Sequence, residues 1–139
     1  MVKKGYIKPE ERKHILLITD DIRVHSGVAQ IGKELILNTS HHYNWSCIAG
    51  SVSHPEKGKM TDISKDINKE SGTTDSSVKL YPVDGYGNPE ILREIIRLEK
   101  PDAILLITDP RYFEWVFNME EEIRRKIPIA YLNIWDDMP

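Results

Sequence analysis

The segment HILLITD at residues 14–20 is an unbroken apolar run that ends abruptly in polar residues. A strand buried on both faces has this composition, and a parallel sheet covered on both faces is built from such strands. Residues 104–109 repeat the last six letters, ILLITD. Because the flanking residues differ, the match indicates that two strands meet the same structural requirement, and we do not interpret it as an internal sequence repeat. The two segments therefore predict strands at 14–20 and 103–109.

Three helices are predicted around these strands. Ser26 is a suitable N-cap for the first, which ends near Asn38. The second begins at Asn88-Pro89-Glu90, where a capping residue precedes a proline and an acid, and it stops before Pro101. The third begins at Asp109-Pro110 and ends in three cations at 124–126, which suit the negative end of a helix dipole. The apolar stripes expected to face the core are Val28, Ile31, Leu35 and Ile36, then Ile91, Leu92, Ile95 and Ile96, and finally Phe113, Val116, Phe117 and Ile123.

The remaining strands are predicted at 45–50, 78–83 and 128–135, and residues 51–77, with few apolar anchors, are predicted to be a long surface insertion. Strands that alternate with helices imply right-handed crossovers. We therefore predict a single α/β domain over residues 1–139. It has a Rossmann-like, doubly wound parallel sheet of about five strands in the order 3-2-1-4-5, within a three-layer α/β/α arrangement.

In this order the winding reverses between the first and fourth strands, and ligands of open α/β sheets bind at such a reversal. Asp20, Asp109 and Asp136 follow strands that end at this edge, so we assign them as candidate catalytic carboxylates. The loop before the first helix lets a backbone approach a phosphate or a sugar hydroxyl, and tyrosines can stack on a sugar face. The candidate substrate-binding residues are Asp21, His25, Ser26, Gly27, Tyr86 and Asp137, with Tyr81 as a second stacking residue.

Each of these features also has a plain interpretation. A glycine can relieve crowding where a helix begins, and paired acids near the end of a chain are often only solvated. Tyr86 lies in the turn Gly85-Tyr86-Gly87, which can equally be a turn with one exposed aromatic.

Composition limits the class of protein. The formal net charge is −3 and the isoelectric point is near 5.9, so bulk positive charge does not hold this domain on nucleic acid. Cys47 is the only cysteine, which excludes an internal disulfide and favours a reducing compartment. The polar start and the short first apolar run predict neither a signal peptide nor a membrane span, so we expect a cytoplasmic protein. His25, His41, His42 and His54 lack zinc-site spacing, and no metal or cofactor is predicted.

Three segments together resemble the amino-terminal half of GT-B glycosyltransferases, particularly the family 4-like group. They are SGVAQIGKEL at 26–35, which follows the opening strand, the stretch from Tyr81 to Gly87, and KPDAI at 100–104, with DDMP at 136–139 as a closing match. The likeness covers most of residues 14–139. It is most specific in the small-residue loop before the first helix and in the Lys-Pro-Asp-apolar start of the fourth strand.

The resemblance implies a two-domain enzyme in which this half holds the acceptor and a second domain holds a nucleotide-sugar donor. It implies metal-independent sugar transfer, and the sequence contains no D-x-D triplet. Ala29 stands where such loops often carry a second glycine. The donor domain itself is absent from the sequence, so we expect the chain alone to be inactive, because one wall cannot stabilise charge on a leaving diphosphate.

Two other interpretations stay open. The first is a receiver-like or small-ligand-binding α/β module without catalysis, suggested by Asp20-Asp21 and by DDMP at 136–139. Spacing disfavours a receiver, because the second acid follows the fifth strand and not the third. The other is a structural partner domain, in which the aromatic third helix, with Trp115, supports docking or a homo-oligomer.

Overall fold

The computed structural model describes residues 4–20, 27–51, 60–84, 88–108 and 118–133. These ranges contain six strands, namely β1 (Lys13–Asp20), β2 (Tyr43–Ser51), β3 (Thr61–Asp62), β4 (Val78–Asp84), β5 (Ala103–Thr108) and β6 (Ile129–Asn133). They also contain four α-helices, namely α1 (Gly27–Thr39), α2 (Ser64–Ser71), α3 (Pro89–Glu99) and α4 (Glu120–Arg124). The fold is therefore α/β, as predicted.

The strands form one mostly parallel sheet in the order β3-β4-β2-β1-β5-β6. The predicted order of the five parallel strands is confirmed, and the short β3 is an additional antiparallel strand on the outer edge of β4. β1 lies between β2 and β5 and runs parallel to both, with Leu16 opposite Ser46 on one side and Ile104 on the other. The two ILLIT segments are thus direct neighbours that point the same way.

Alternation along the strands divides the buried residues between two hydrophobic clusters. Leu16 and Ile18 of β1 belong to the first, and Leu17 belongs to the second. We call the first the α3 cluster, because α3 and α4 contribute to it; its members are Leu16, Ile18, Ile48, Val83, Leu92, Ile95, Ile104, Leu106, Met119, Ile123, Ile127 and Ile129. The second is the α1 cluster, because α1 and α2 contribute to it; its members are Leu17, Ile36, Trp45, Cys47, Ile63, Ile67, Val78, Leu80 and Ile107.

The predicted stripe of α1 is wrong at one position. Ile36 is fully buried and Leu35 is half-buried, but Ile31 is 39% exposed. The buried face instead includes Ala29 and Gly32, which are small residues that let a helix lie close to a sheet. Ile31 lies on a different side of the helix from these two residues and is therefore exposed.

The boundaries of α3 follow the predicted signals. The Asn88 side chain accepts a hydrogen bond from the backbone N–H of Ile91, and Pro89 occupies the first turn. The helix ends at Glu99, and Lys100 adopts a left-handed conformation with φ of 48°. Leu92 and Ile95 are buried, and Ile91 and Ile96 pack against the same cluster, so the predicted stripe of this helix is confirmed.

The predicted surface insertion at 51–77 contains regular structure, so that prediction is wrong for residues 61–71. Ile63 and Ile67 are 7% and 3% exposed, and these two residues anchor α2 in the α1 cluster. Two apolar residues in a polar stretch are too weak a periodic signal to predict a helix, but the edge of β4 supplies the missing packing surface. Residues 52–59 and 109–117 lie outside the described residues. The predicted third helix is therefore untested over most of its length, and so is the role of Trp115.

Residues 4–12, the N-terminal strap, hold two loops together. The Ile7 amide donates to the carbonyl of His41, and the rings of His41 and His42 contact the carbonyls of Lys4 and Gly5 at 3.1 and 2.6 Å. At the other end of the strap, the fully buried Arg12 side chain binds the carboxylate and the carbonyl of Asp75, each at 2.8 Å. The strap therefore joins the turn after α1 to the loop before β4.

We expect Leu16→Ala to lower the free energy of unfolding by about 3 kcal/mol, because it removes a side chain that is 0% exposed at the centre of the sheet. The matched control is Leu98→Ala, since Leu98 is 59% exposed, and its effect should stay within about 0.5 kcal/mol. Urea unfolding followed by tryptophan fluorescence measures both. Equal losses for the two variants would contradict the central position of β1.

We expect Arg12→Met to cost about 3 kcal/mol, because it keeps the apolar stem but leaves the Asp75 carboxylate without its buried cation. Arg97→Met is the control, since the side chain of Arg97 is 72% exposed and its ion pair with Glu94 faces solvent. Thermal unfolding of both variants is the measurement. A melting temperature for Arg12→Met that equals that of the control would show that the contacts of the Arg12 side chain with Asp75 contribute no net stability.

Candidate functional site

The candidate site is the edge of the sheet where β1 and β5 end. From β1 the chain winds through α1 to β2 on one side, and from β5 it winds towards β6 on the other. The direction of winding therefore reverses between two adjacent parallel strands, which is where loops diverge in an open α/β sheet and leave a crevice. The predicted location of the reversal, beside the ends of the two ILLIT segments, is confirmed.

Two of the predicted site residues have a described backbone at this edge. Asp20 is the last residue of β1 and pairs with Gly50 of β2, and Gly27 is the first residue of α1. Together they bracket the loop that was predicted to bind substrate. The other predicted site residues lie outside the described residues, so their roles stay predictions; they are Asp21, His25, Ser26, Tyr86, Asp109, Asp136 and Asp137.

The first turn of α1 lies next to the end of β1. α1 has 13 residues, so the positive end of its helix dipole lies at its first turn. Ala29 lies within this turn and is 0% exposed. It stands where the resemblance leads one to expect a glycine. Its methyl group is therefore buried.

Thr19 is a residue of this edge that the sequence analysis missed. Its side chain is 1% exposed, and its hydroxyl has no hydrogen-bond partner among the described residues. It lies two residues after Leu17, so its side chain points to the same side of the sheet, which carries the α1 cluster. Burying an unsatisfied hydroxyl costs about 1–3 kcal/mol. In the sequence Thr19 is one of the polar residues that end the apolar run, so nothing there distinguished it from its neighbours.

Tyr81 is engaged elsewhere and is not the stacking residue that we predicted. Its hydroxyl donates a hydrogen bond to Glu99 Oε2, and its ring packs against the α3 cluster. Burial, followed by the hydrogen bond to Glu99, raises the pKa of the Tyr81 hydroxyl. Tyr81 is thus a structural residue between β4 and α3.

In residues 4–20, 27–51, 60–84, 88–108 and 118–133, no three histidine, cysteine or acidic side chains are grouped so that they could hold a metal ion. Within those same ranges, none of the helices combines the length and the apolar character needed to cross a bilayer. The thiol of Cys47 is buried in β2.

No protein-family model and no curated protein matches the chain. The likeness to GT-B glycosyltransferases accordingly stands on the quoted residues, and the geometry of the β1–β5 edge is an independent observation.

Thr19→Val replaces the unsatisfied hydroxyl by a methyl group of the same shape, and we expect it to raise the free energy of unfolding by about 1 kcal/mol. Thr39→Val is the matched control. The Thr39 hydroxyl donates to the Leu35 carbonyl at 2.7 Å and accepts from Trp45 Nε1 at 3.1 Å, so its loss should destabilise the fold. Urea unfolding compares the two, and a loss of stability in Thr19→Val as large as that in Thr39→Val would show that Thr19 is satisfied.

Proposed function

We propose that this chain is the acceptor-side, amino-terminal half of a GT-B, family 4-like glycosyltransferase. The reversal of winding between β1 and β5 carries this proposal. It brings the end of β1, the start of α1 and the end of β5 to one edge, and an acceptor sugar would bind there. A second domain would present the nucleotide-sugar donor from the opposite side.

The two most specific parts of the resemblance have separate positions in the fold. The segment at 26–35 leads into α1 beside the candidate site. The segment at 100–104 lies at the opposite end of the sheet, where the Asp102 carboxylate accepts a hydrogen bond from the backbone N–H of His14 at 2.8 Å. The second segment therefore supports the fold by fixing β5 beside β1, and only the first bears on ligand binding.

The arrangement of the fold in three layers is part of the same proposal. The α3 cluster and the α1 cluster take alternate residues of the same strands, which supports helices on both faces of the sheet. We accordingly propose a Rossmann-like, three-layer α/β/α domain. A cytoplasmic location is proposed with it, because a chain with one buried cysteine needs no oxidising compartment.

The proposed chemistry divides between the two halves. Here Asp20, Asp109 and Asp136 would orient acceptor hydroxyls, and one of them would act as the general base. Charge on the leaving diphosphate needs preorganised cationic donors, which the second domain would supply, so the chain alone should not turn over.

The test has a binding arm and an activity arm. In the binding arm, backbone amide NMR spectra are recorded while monosaccharides and disaccharides are titrated into the chain. We expect shifts at the end of β1 and the first turn of α1, with Kd about 1 mM. Asp20→Asn should weaken binding, whereas Asp66→Asn, on the exposed side of α2, should not.

In the activity arm, the purified chain is mixed with nucleotide-sugars and the acceptors that bind, and no transfer is expected. Robust transfer by the chain alone would contradict the need for a second domain. Binding of no saccharide, or shifts confined to β3 and α2, would contradict the acceptor site. Saccharide binding that survives Asp20→Asn would indicate a ligand-binding module that uses another edge.

A further inference from the structure

The two ILLITD segments pair with an offset of one residue. Ile18 of β1 lies opposite Leu106 of β5, although Ile18 is the fourth letter of its segment and Leu106 is the third. Because side chains alternate along a strand, this offset puts matching letters on opposite faces of the sheet. Two residues further along both strands, Asp20 of β1 is therefore level with Thr108 of β5.

The pairing of β1 with β5 is shorter than the pairings on either side of it. β1 stays paired with β2 as far as Asp20, and β5 stays paired with β6 as far as Thr108. Among the described residues, the pairing of β1 with β5 already ends at Ile18 and Leu106. The end of the sheet is therefore divided between these two strands, and we call this division the β1–β5 gap.

One row of residues crosses the sheet at the level of the β1–β5 gap. It contains Val83 of β4, Gly50 of β2, Asp20 of β1, Thr108 of β5 and Asn133 of β6, and we call it the Asp20 row. Val83 belongs to the α3 cluster, and so do the residues that precede the row at even spacing on the other four strands, namely Ile18, Ile48, Leu106 and Ile129. Alternation therefore assigns the whole row to the face of the sheet that carries the α3 cluster.

This face changes from apolar to polar at the Asp20 row on three adjacent strands. The row contributes an acid on β1, a hydroxyl residue on β5 and an amide residue on β6, and Gly50 adds no side chain beside Asp20. Neighbouring strands lie about 4.8 Å apart, so the three polar residues span at least about 10 Å, with the gap between the first two.

Solvation of strand ends is the plain explanation for polar residues at the edge of a sheet. It does not account for the position of the opening. In the same row, Val83 is only 5% exposed and its strand is still paired with β2. The sheet is thus closed where the row is apolar and open between two of its polar residues, which is the arrangement expected of a ligand subsite.

The residue types of the row fit a ligand that presents hydroxyl groups. An ionised carboxylate only accepts hydrogen bonds, a threonine hydroxyl donates and accepts, and an asparagine amide has two donors and an acceptor oxygen. A sugar hydroxyl can bind to each of them, because it also donates and accepts. The row contains one acid and no cation, which disfavours a phosphate or another anion.

We propose that the β1–β5 gap is the subsite for one acceptor sugar ring, in which Asp20 binds hydroxyls on one side of the ring and Thr108 and Asn133 bind hydroxyls on the other. This inference rests on the function proposed above and adds two specificity-determining residues to it. Gly50 leaves space beside Asp20, and a glycine within a strand is typical of a place that a ligand approaches closely.

Backbone amide NMR of the full chain, titrated with the methyl glycosides of glucose, galactose and mannose, tests the subsite. The bound glycoside should shift amides at the ends of β5 and β6 as well as at the end of β1. Thr108→Val keeps the shape of the side chain without its hydroxyl, and Asn133→Ala removes the amide, so each should raise the Kd about fivefold through the loss of one hydrogen bond. Thr61→Val, on the edge strand β3, is the matched control and should leave the Kd unchanged.

Monodeoxy analogues of the glycoside that binds identify the hydroxyl that Thr108 recognises. One analogue should bind the parent chain several-fold less tightly than the intact glycoside, whereas Thr108→Val should bind the two equally, because the variant lacks the partner of that hydroxyl. Thr108→Ser should restore the preference. If Thr108→Val does not fold, Asn133→Ala provides the same comparison.

The outcomes separate this subsite from the function on which it rests. Shifts confined to β1 and α1, or a parent-like Kd for both Thr108→Val and Asn133→Ala, would overturn the subsite and leave the acceptor site at the end of β1 in place. Binding of no saccharide would overturn both.

Discussion

The burial of β1 on both faces and along both edges is the constraint on which the rest of the fold depends. Its backbone is paired with β2 on one side and β5 on the other, and Leu16, Leu17 and Ile18 are all 0% exposed. A strand of this kind is stable only where both of its edges are paired and both of its faces are covered. Since β5 must lie beside β1, the chain has to cross back over the sheet through α3. That crossing reverses the direction of winding between β1 and β5.

Hydrogen bonds join distant elements at the amino end of the sheet. The carboxylate of Glu99 receives hydrogen bonds from Ser46 and Tyr81, and the turn at residues 100–102 is bonded to His14. Among the described residues, the hydroxyl of Ser40 and Nδ1 of His41 are buried without a partner at this same end, and the hydroxyl of Thr19 is buried without one at the carboxyl end. Satisfaction of polar groups therefore does not distinguish the two ends, and the candidate site rests on the reversal of winding between β1 and β5.

Sequence patterns predicted the elements well where a local rule was strong, as the start of α3 illustrates, because the Asn88 cap and Pro89 act within one turn. The predictions were wrong where tertiary packing decided which residues are buried. Ile31 matched the periodicity of α1, but the small residues Ala29 and Gly32 turned it outwards, and α2 formed on only two apolar anchors. At the candidate site, chain position predicted Asp20 and Gly27 at the edge. It could not predict that Thr19 is unsatisfied or that Tyr81 is bound to Glu99, because those depend on neighbours distant in sequence.

The sequence by itself determined the α/β class, the parallel central strands and the location of the reversal, because burial on two faces requires an unbroken apolar run and right-handed crossovers leave few arrangements. Only the tertiary structure decided which polar groups meet. His14, Ser46, Tyr81 and Glu99 are scattered over 86 positions, and no local pattern relates them. They converge because the register of β1, β2 and β4 and the length of α3 place them at one end of the sheet, where each buried polar group needs a partner.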